Sequence, residues 1–358
     1  MARLAEIVPL TLVLTIAGSC GVLTSMVEPI RWGILATGGI ASTFVEDLAL
    51  LDDCRVTAVA SRSAERAAAF AKKYDIPHAL DSVQALAASD EVDIVYVATP
   101  HSHHYLPTLR LLEAGKHVLC EKAFAYNAAQ TRTMFDVARE HQRFLMEAMW
   151  TRCNPAIREM RRAIKEGMIG EVVSVNGNFA ISGDIPPSHR LRNPELAGGA
   201  LLDLGVYPVT LAHLALGVPE SVSAEAVMDA VTGVDAQTAI TLKYPNAIAQ
   251  LSCSYRGGAA NEVTIAGTEG RIELHDYAYR PSGYTLVRYD GGSREFEAPY
   301  VGHGYVHEAL EVHRALRQGR LESTLVPPQS TIEVMEILDA VRERIGLRYP
   351  GETHPKQS

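Results

Sequence analysis

Positive charge is in short supply: 33 Lys and Arg stand against 42 Asp and Glu, a formal charge of −9. A nucleic-acid or acidic-membrane partner needs a clustered surplus of Lys and Arg, so neither is expected. Cysteine is scarce as well. The five present (Cys20, Cys54, Cys120, Cys153, Cys253) are odd in number, far apart and free of any C-x-x-C pair. A disulfide framework and a zinc ribbon are thereby excluded, and a reducing, cytoplasmic setting fits best. The 27 glycines follow no period and apolar residues make up 47% of the chain, so collagen-like and disordered readings fail too. The 358 residues have room for two cores.

Charge is also missing from Ile7 to Val27. The apolar run Ile7–Ile16 resembles the h-region of a signal peptide, with Ala17-Gly18-Ser19-Cys20 as a poor lipoprotein-type box. Pro9, Gly18, Ser19 and Gly21 weaken it as a membrane span, so no stable membrane association is expected. Two readings stay open: an export or anchoring signal, or an upstream start with Met26 as the true first residue. Residues 1–29 are set apart as this extension, 30–150 and 151–350 as two domains, and 351–358 as a tail.

From Arg31 the text alternates buried strand and amphipathic helix. Arg31–Ala36 is a strand, Thr37-Gly38-Gly39 a tight turn, and Ile40–Leu51 a helix. Further strands are expected at Val56–Ala60, Ile94–Val97, His117–Cys120 and Phe144–Met146, with helices between them. Continuous apolar strands separated by helices give a parallel sheet covered on both faces, the doubly wound Rossmann architecture of α/β proteins. After Thr151 the texture changes to strand runs with hairpin punctuation between Ser221 and Pro299, closed by helices at Gly304–Arg317 and Thr331–Ile345. The second domain is therefore α+β with a large open antiparallel sheet.

The turn reads Ala36-Thr37-Gly38-Gly39-Ile40-Ala41. It keeps only the central glycine of G-x-G-x-x-G, the one that lets backbone approach a pyrophosphate. Thr37, Gly38, Gly39 and Ile40 are assigned to cofactor binding on its position before a helix N-terminus. The second strand ends Ala60-Ser61-Arg62-Ser63, with no carboxylate for a ribose 2′-hydroxyl. Ser61 and Arg62 suit a 2′-phosphate instead, which favours NADP over NAD.

His117–Cys120 runs into Glu121-Lys122 at the carboxyl end of the sheet, where doubly wound folds bind ligands. Further on, Gly198-Gly199 precedes Asp203 and Tyr207, which at i and i+4 share a helix face. A hydride transfer at a carbinol carbon needs a group to move the hydroxyl proton, and a free tyrosine is a poor base near neutrality. Bringing its pKa toward neutrality takes about 3 to 4 kcal/mol, which one ammonium at about 4 Å supplies at an effective dielectric of about 20. Lys122 is expected to tune Tyr207 in this way and to reach the cofactor ribose; Asp203 is expected to orient substrate hydroxyls or Lys122. His101, His103 and His104 invite a metal, but no acidic or cysteine partner lies near them in sequence, and no metal is expected.

The segment Ala114–Lys122 together with Gly198-Gly199-x3-Asp203-x3-Tyr207 resembles the Gfo/Idh/MocA oxidoreductase family, and within it the dihydrodiol dehydrogenase and NADP-dependent D-xylose 1-dehydrogenase branch. The resemblance runs from Arg31 to Pro350. It implies a Rossmann domain, an open-faced sheet domain that binds substrate and pairs two copies, and an enzyme acting on a sugar or polyol. It also implies that Thr99, Pro100, His104 and Glu121 face the cofactor, and that Trp150 and Arg152 stand beside the substrate with Asp203 and Tyr207. The usual Glu-Lys-Pro is Glu121-Lys122-Ala123 here, so a cis-proline is not expected. Two rivals remain, a non-catalytic sensor on the same fold and an exported oxidoreductase carrying its cofactor.

Overall fold

The computed structural model describes residues 28–352. The apolar segment from Ile7, Cys20, Met26 and most of the 351–358 tail lie outside the described residues.

The first sheet is built from β1 (Ile30–Leu35), β2 (Cys54–Ala60), β3 (His78–Leu80), β4 (Ile94–Val97), β5 (His117–Glu121) and β6 (Leu145–Ala148), in the order β3-β2-β1-β4-β5-β6. Every pairing is parallel. Helices α1 (Gly39–Leu48), α2 (Ala64–Tyr74), α3 (Val83–Ala87), α4 (Tyr105–Glu113) and α5 (Ala128–Glu140) make the crossovers. The strand order reverses between β1 and β4, which opens a crevice at their carboxyl ends. Two short elements, β3 and α3, escape a periodicity reading. Three edge residues and five helical ones are too few to establish a period.

After α6 (Pro155–Lys165) comes the second sheet: β7 (Val172–Ala180), then beyond α7 (Val206–Leu216) β8 (Ser221–Met228), β9 (Asp235–Lys243), β10 (Ile248–Ser254), β11 (Val263–Gly267), β12 (Gly270–Leu274), β13 (Gly283–Arg288) and β14 (Ser293–Glu297). The order is β14-β13-β12-β11-β7-β10-β9-β8. One pair departs from the antiparallel expectation, since β10 runs parallel to β7. The intervening α7, β8 and β9 supply the crossover such a pair requires. Helix α7 covers one face of this sheet. The other carries polar residues such as Asn176, Asn178, Thr241, Gln250 and Ser252 around a shallow concavity.

The closing helices return to the first sheet. In α8 (Val306–Arg317), His313 accepts from the Trp32 indole of β1 at 3.0 Å, and Arg317 pairs with Asp53. In α9 (Pro328–Ile345), Asp339 accepts from Ala128 N at 2.8 Å and Arg342 donates to Tyr126 O at 2.6 Å, holding the start of α5. The 30–150 and 151–350 segments are thus interlocked by helices of the second.

Candidate active site

A single cleft of about 1620 Å³ runs from the β1 turn across the end of the first sheet to β7 and α7. Its floor at one end is the turn. Ala36 takes φ +94°, a value glycine adopts far more readily, at the position of the fingerprint's first glycine. Among the described residues, Gly38 caps α1 with no side-chain hydrogen bond, and a Cβ on Gly38 or Gly39 would meet nothing within 4 Å. Uncapped first-turn amides facing open space are what a pyrophosphate requires. Around the tip of β2 stand Ser61, Arg62, Ser63 and Arg66, with Thr37, Ile40, Thr99 and Pro100 lining the same stretch. Ser63 accepts from Arg66 N and so starts α2 with the Arg66 side chain toward the cleft. The donors and the open cradle fit a phosphorylated dinucleotide.

At the far end Lys122, Asp203 and Tyr207 converge, from the end of β5 and the start of α7. The Lys122 ammonium donates to Asp203 O at 2.8 Å, stands 3.4 Å from Asp203 Oδ1, and lies 4.7 Å from the Tyr207 ring centroid. Residues Leu201–Gly205 form a π-helical turn rather than the expected regular helix. Pro208, lacking an N–H, leaves a carbonyl of that turn without a helical partner. The Asp203 carbonyl is the one that receives Lys122.

The double glycine before this turn has a steric cause. A Cβ on Gly198 would lie 2.6 Å from Arg190 O, and one on Gly199, at φ +121°, would collide with Asp235 Oδ1. Asp235 is fully buried; its Oδ2 accepts from Leu201 N at 2.7 Å and Thr238 Oγ1 at 2.8 Å, while Oδ1 has no partner among the described residues. Burial pushes this carboxyl up to about 7. Because the folded state prefers the protonated form, stability is full below the ordinary value near about 4 and falls as pH rises to about 7. Glu147 is raised by burial in the same sense. Asp235→Asn, neutral at every pH, is expected to flatten the decline of Tm between pH 5 and pH 8, as scanning calorimetry at the two pH values reads; an unchanged decline sinks this assignment.

Asp203 is tied to the cations around it. Both its oxygens accept from Arg190, at 2.9 and 3.1 Å, and His101 Nε2 stands 3.7 Å away. Burial opposes its ionisation, yet Lys122 and then Arg190 hold its pKa well below the usual carboxylate range. Its place is that of a hub fixing Lys122 and Arg190.

Tyr207 is 6% exposed. Burial pushes its phenol well above the ordinary value, Glu121 and Asp203 add to this, and the Trp150 bond works against it. This overturns the expectation that Lys122 draws the phenol toward neutrality. The ammonium is already shared with Asp203 and sits over the ring face rather than beside the oxygen. Trp150 Nε1 donates to Tyr207 Oη at 3.0 Å, and the Trp150 ring stacks on Tyr305 at 4.4 Å. Phe179 and Tyr279 also pack against the Tyr207 ring.

Glu121 lies at the cleft floor, accepting from Tyr96 Oη through Oε1 and from Lys122 N at 3.1 Å through Oε2. Two expected site residues do not line the cleft. Arg152 is buried and turned away, its Nε donating to Leu325 O at 3.1 Å. His104 is fully buried between Ala123 O at 3.0 Å and Thr99 O at 2.8 Å, joining the loops that follow β4 and β5. The Lys122–Ala123 peptide is cis although no proline follows, which corrects the expectation above; Ala123 is fully buried with its carbonyl held by His104. Arg66, Arg190, Phe179 and Tyr305 line the cleft unannounced by any motif. The trio Asp53, Cys54 and His313 has metal-like spacing, but the His313 lone pair is taken by the Trp32 indole.

A phosphate-type turn and a part-buried lysine beside a buried tyrosine, at the two ends of one cleft, define a dinucleotide-binding oxidoreductase. Two family models match: the Gfo/Idh/MocA oxidoreductase family, NAD-binding Rossmann fold, over residues 30–149, and the Gfo/Idh/MocA C-terminal domain over residues 157–273. The chain belongs to the Gfo/Idh/MocA oxidoreductase family. It is 39% identical to the D-xylose 1-dehydrogenase (NADP(+)) of Hypocrea jecorina, over 90% of this chain and 93% of that protein. It is 35% identical to the trans-1,2-dihydrobenzene-1,2-diol dehydrogenase of Bos taurus, over 91% of this chain and 99% of that protein. Among solved structures, a 3-ketoreductase from Actinomadura kijaniata in complex with NADP superimposes with a TM-score of 0.78 at 28% identity, covering 89% of this chain and 98% of that one.

Proposed function

We propose that this protein transfers a hydride between NADP(H) and a hydroxyl or carbonyl carbon of a sugar or cyclic diol, with Tyr207 moving the proton. The observation that carries the reading is the Trp150–Tyr207 bond. An indole N–H can only donate, so Tyr207 Oη is the acceptor and keeps its own proton free for a ligand oxygen in the cleft. The cofactor supplies the hydride in the reducing direction. Tyr207 then passes its proton to the carbonyl oxygen, and the indole N–H and the Lys122 ammonium face the phenolate that remains. The acid is a neutral phenol throughout the ordinary pH range, as its burial requires.

Sugar or diol as substrate class is supported by the names of the relatives and by a cleft end walled with aromatic faces. Preference for NADP rests on Ser61, Arg62, Ser63 and Arg66 around the β2 tip, where residues 60–63 carry no carboxylate; the acid lining this stretch, Asp81, follows the neighbouring β3. Two cations in reach of one phosphate give charge-assisted bonds that a 2′-hydroxyl cannot match. We also assign the polar face of the second sheet to pairing with a second copy.

The test is a screen of pentoses, hexoses and cyclic diols followed by reduced-nicotinamide absorbance, run with NADP and with NAD. At least one substrate is expected to turn over with kcat/KM about 100-fold higher for NADP, and the pair Arg62→Ala and Arg66→Ala to cut that preference to about threefold. Equal use of the two cofactors by the unaltered protein sinks the cofactor reading, and no turnover with any substrate sinks the reaction.

A further inference from the structure

We propose that Asp47 is a positioning residue for the substrate end of the cleft, acting from the helix that begins at the phosphate turn. The proposal rests on the proton path through Tyr207 given above. Asp47 sits near the end of α1 and is 1% exposed. Its carboxylate is spent on a distant stretch of chain. Oδ1 accepts from His303 N at 2.8 Å and His303 Nδ1 at 2.9 Å; Oδ2 accepts from Tyr305 N at 2.8 Å and Val306 N at 3.1 Å. Helix α8 starts there with no capping side chain of its own, so a residue more than 250 positions earlier in the sequence satisfies its first amides and meets its positive end with a negative charge.

The segment so held is pinched on both sides. A Cβ on Gly302, at φ +60°, would collide with Asp47 Oδ1, and one on Gly304, at φ +105°, would come 2.8 Å from Trp150 Cζ3. The chain therefore threads between the carboxylate and the indole without clearance. Its next residue is Tyr305, which lines the cleft and stacks on Trp150 at 4.4 Å with an interplanar angle of 24°. Trp150 in turn donates to Tyr207 Oη. Carboxylate, glycine-lined segment, stacked ring, indole and phenol form one contiguous packed series. At 1.5 Å per residue, Asp47 stands about 12 Å along α1 from Gly39. The same rigid helix thus presents its N-terminal amides to the pyrophosphate and fixes the aromatic wall that orients the proton donor.

The experiment compares Asp47→Asn, Asp47→Ala, Tyr305→Ala and Asp47→Ala with Tyr305→Ala in the full chain, measuring kcat, KM and NADP affinity. A misplaced donor costs rate steeply, so Asp47→Asn is expected to lower kcat about tenfold and Asp47→Ala about 100-fold, with NADP affinity within about threefold. Tyr305→Ala reproduces the loss without touching the cap, and the double variant is no worse than the worse single one, because both break one series. In a Trp32→Phe background Trp150 is the lone indole of the chain, and its emission is expected to shift in Asp47→Asn and to return on reversion. A purely structural role lowers Tm while leaving kcat per folded molecule and the emission unmoved, and that result overturns the proposal; so do additive losses in the double variant. Should Asp47→Ala fail to fold, Asp47→Asn and Tyr305→Ala decide alone. If Tyr207→Phe is inactive while the Asp47 variants match the unaltered enzyme, only this inference falls. If Tyr207→Phe stays active, the proton path itself falls.

Discussion

Replacement of Tyr207 by Phe is expected to lower kcat about 1000-fold while KM and NADP affinity stay within about threefold. The ring is retained, so the packing against Phe179 and Tyr279 survives. What disappears is the hydroxyl that accepts from the indole and so keeps its own proton free to give. The Trp150 N–H loses its acceptor in a buried place, at a cost of about 1 to 3 kcal/mol in stability. A pH profile separates this from simple destabilisation. With the phenol held well above its ordinary value by burial, carbonyl reduction uses the protonated form and its kcat is expected to be flat from about pH 6 to about pH 9. Steady-state kinetics in the reducing direction check both points. A variant that keeps a tenth of the activity or more, or a Tyr207-dependent fall in rate near pH 7, refutes the assigned proton path.

Lys122→Met is the second large effect, expected to lower kcat about 100-fold with a smaller rise in the KM for substrate. Methionine fills the space along the stem and removes only the charge. Asp203 keeps Arg190, but Glu121 and Asp203 are left facing the phenol with no ammonium over its ring, so the phenolate formed on proton transfer loses its nearest cation. Lys122→Arg is expected to restore little, because a planar guanidinium cannot donate to the Asp203 carbonyl and sit over the ring as a compact ammonium does. Stopped-flow measurement of the hydride step for the three proteins gives the comparison. A Met variant within about threefold of the unaltered enzyme removes Lys122 from the mechanism.

The two halves of the site differ in how far the sequence revealed them, and the reason is geometric. Lys122 follows a buried strand directly, and a residue at the carboxyl end of such a strand has one place to go, the crevice. Asp203 and Tyr207 share a turn of helix, so their spacing alone put them on one wall. Arg152 and His104 were misplaced because neighbourhood in sequence does not give direction: the short 3₁₀ turn Trp150–Cys153 sends Trp150 into the cleft and Arg152 behind it, and His104 ties two loops instead of facing the cofactor. Arg190 opens a three-residue 3₁₀ turn and Tyr305 is the N-cap of α8, places whose periodicity does not say which way a side chain points. The acidity of Tyr207 was misjudged for another reason, since one favourable pair was counted without the desolvation and the two carboxylates that only a folded site brings to bear.

The return of α8 and α9 to the first sheet sets how the molecule can be recombined. Trp32 leans on His313, Asp47 caps α8, and the start of α5 is held by Asp339 and Arg342. Cutting the polypeptide at residue 150 therefore does not release a self-sufficient nucleotide-binding module, because the missing pieces arrive only with the last quarter of the chain. A chimera that exchanges substrate preference between relatives has to keep both flanks from one parent and graft only the middle.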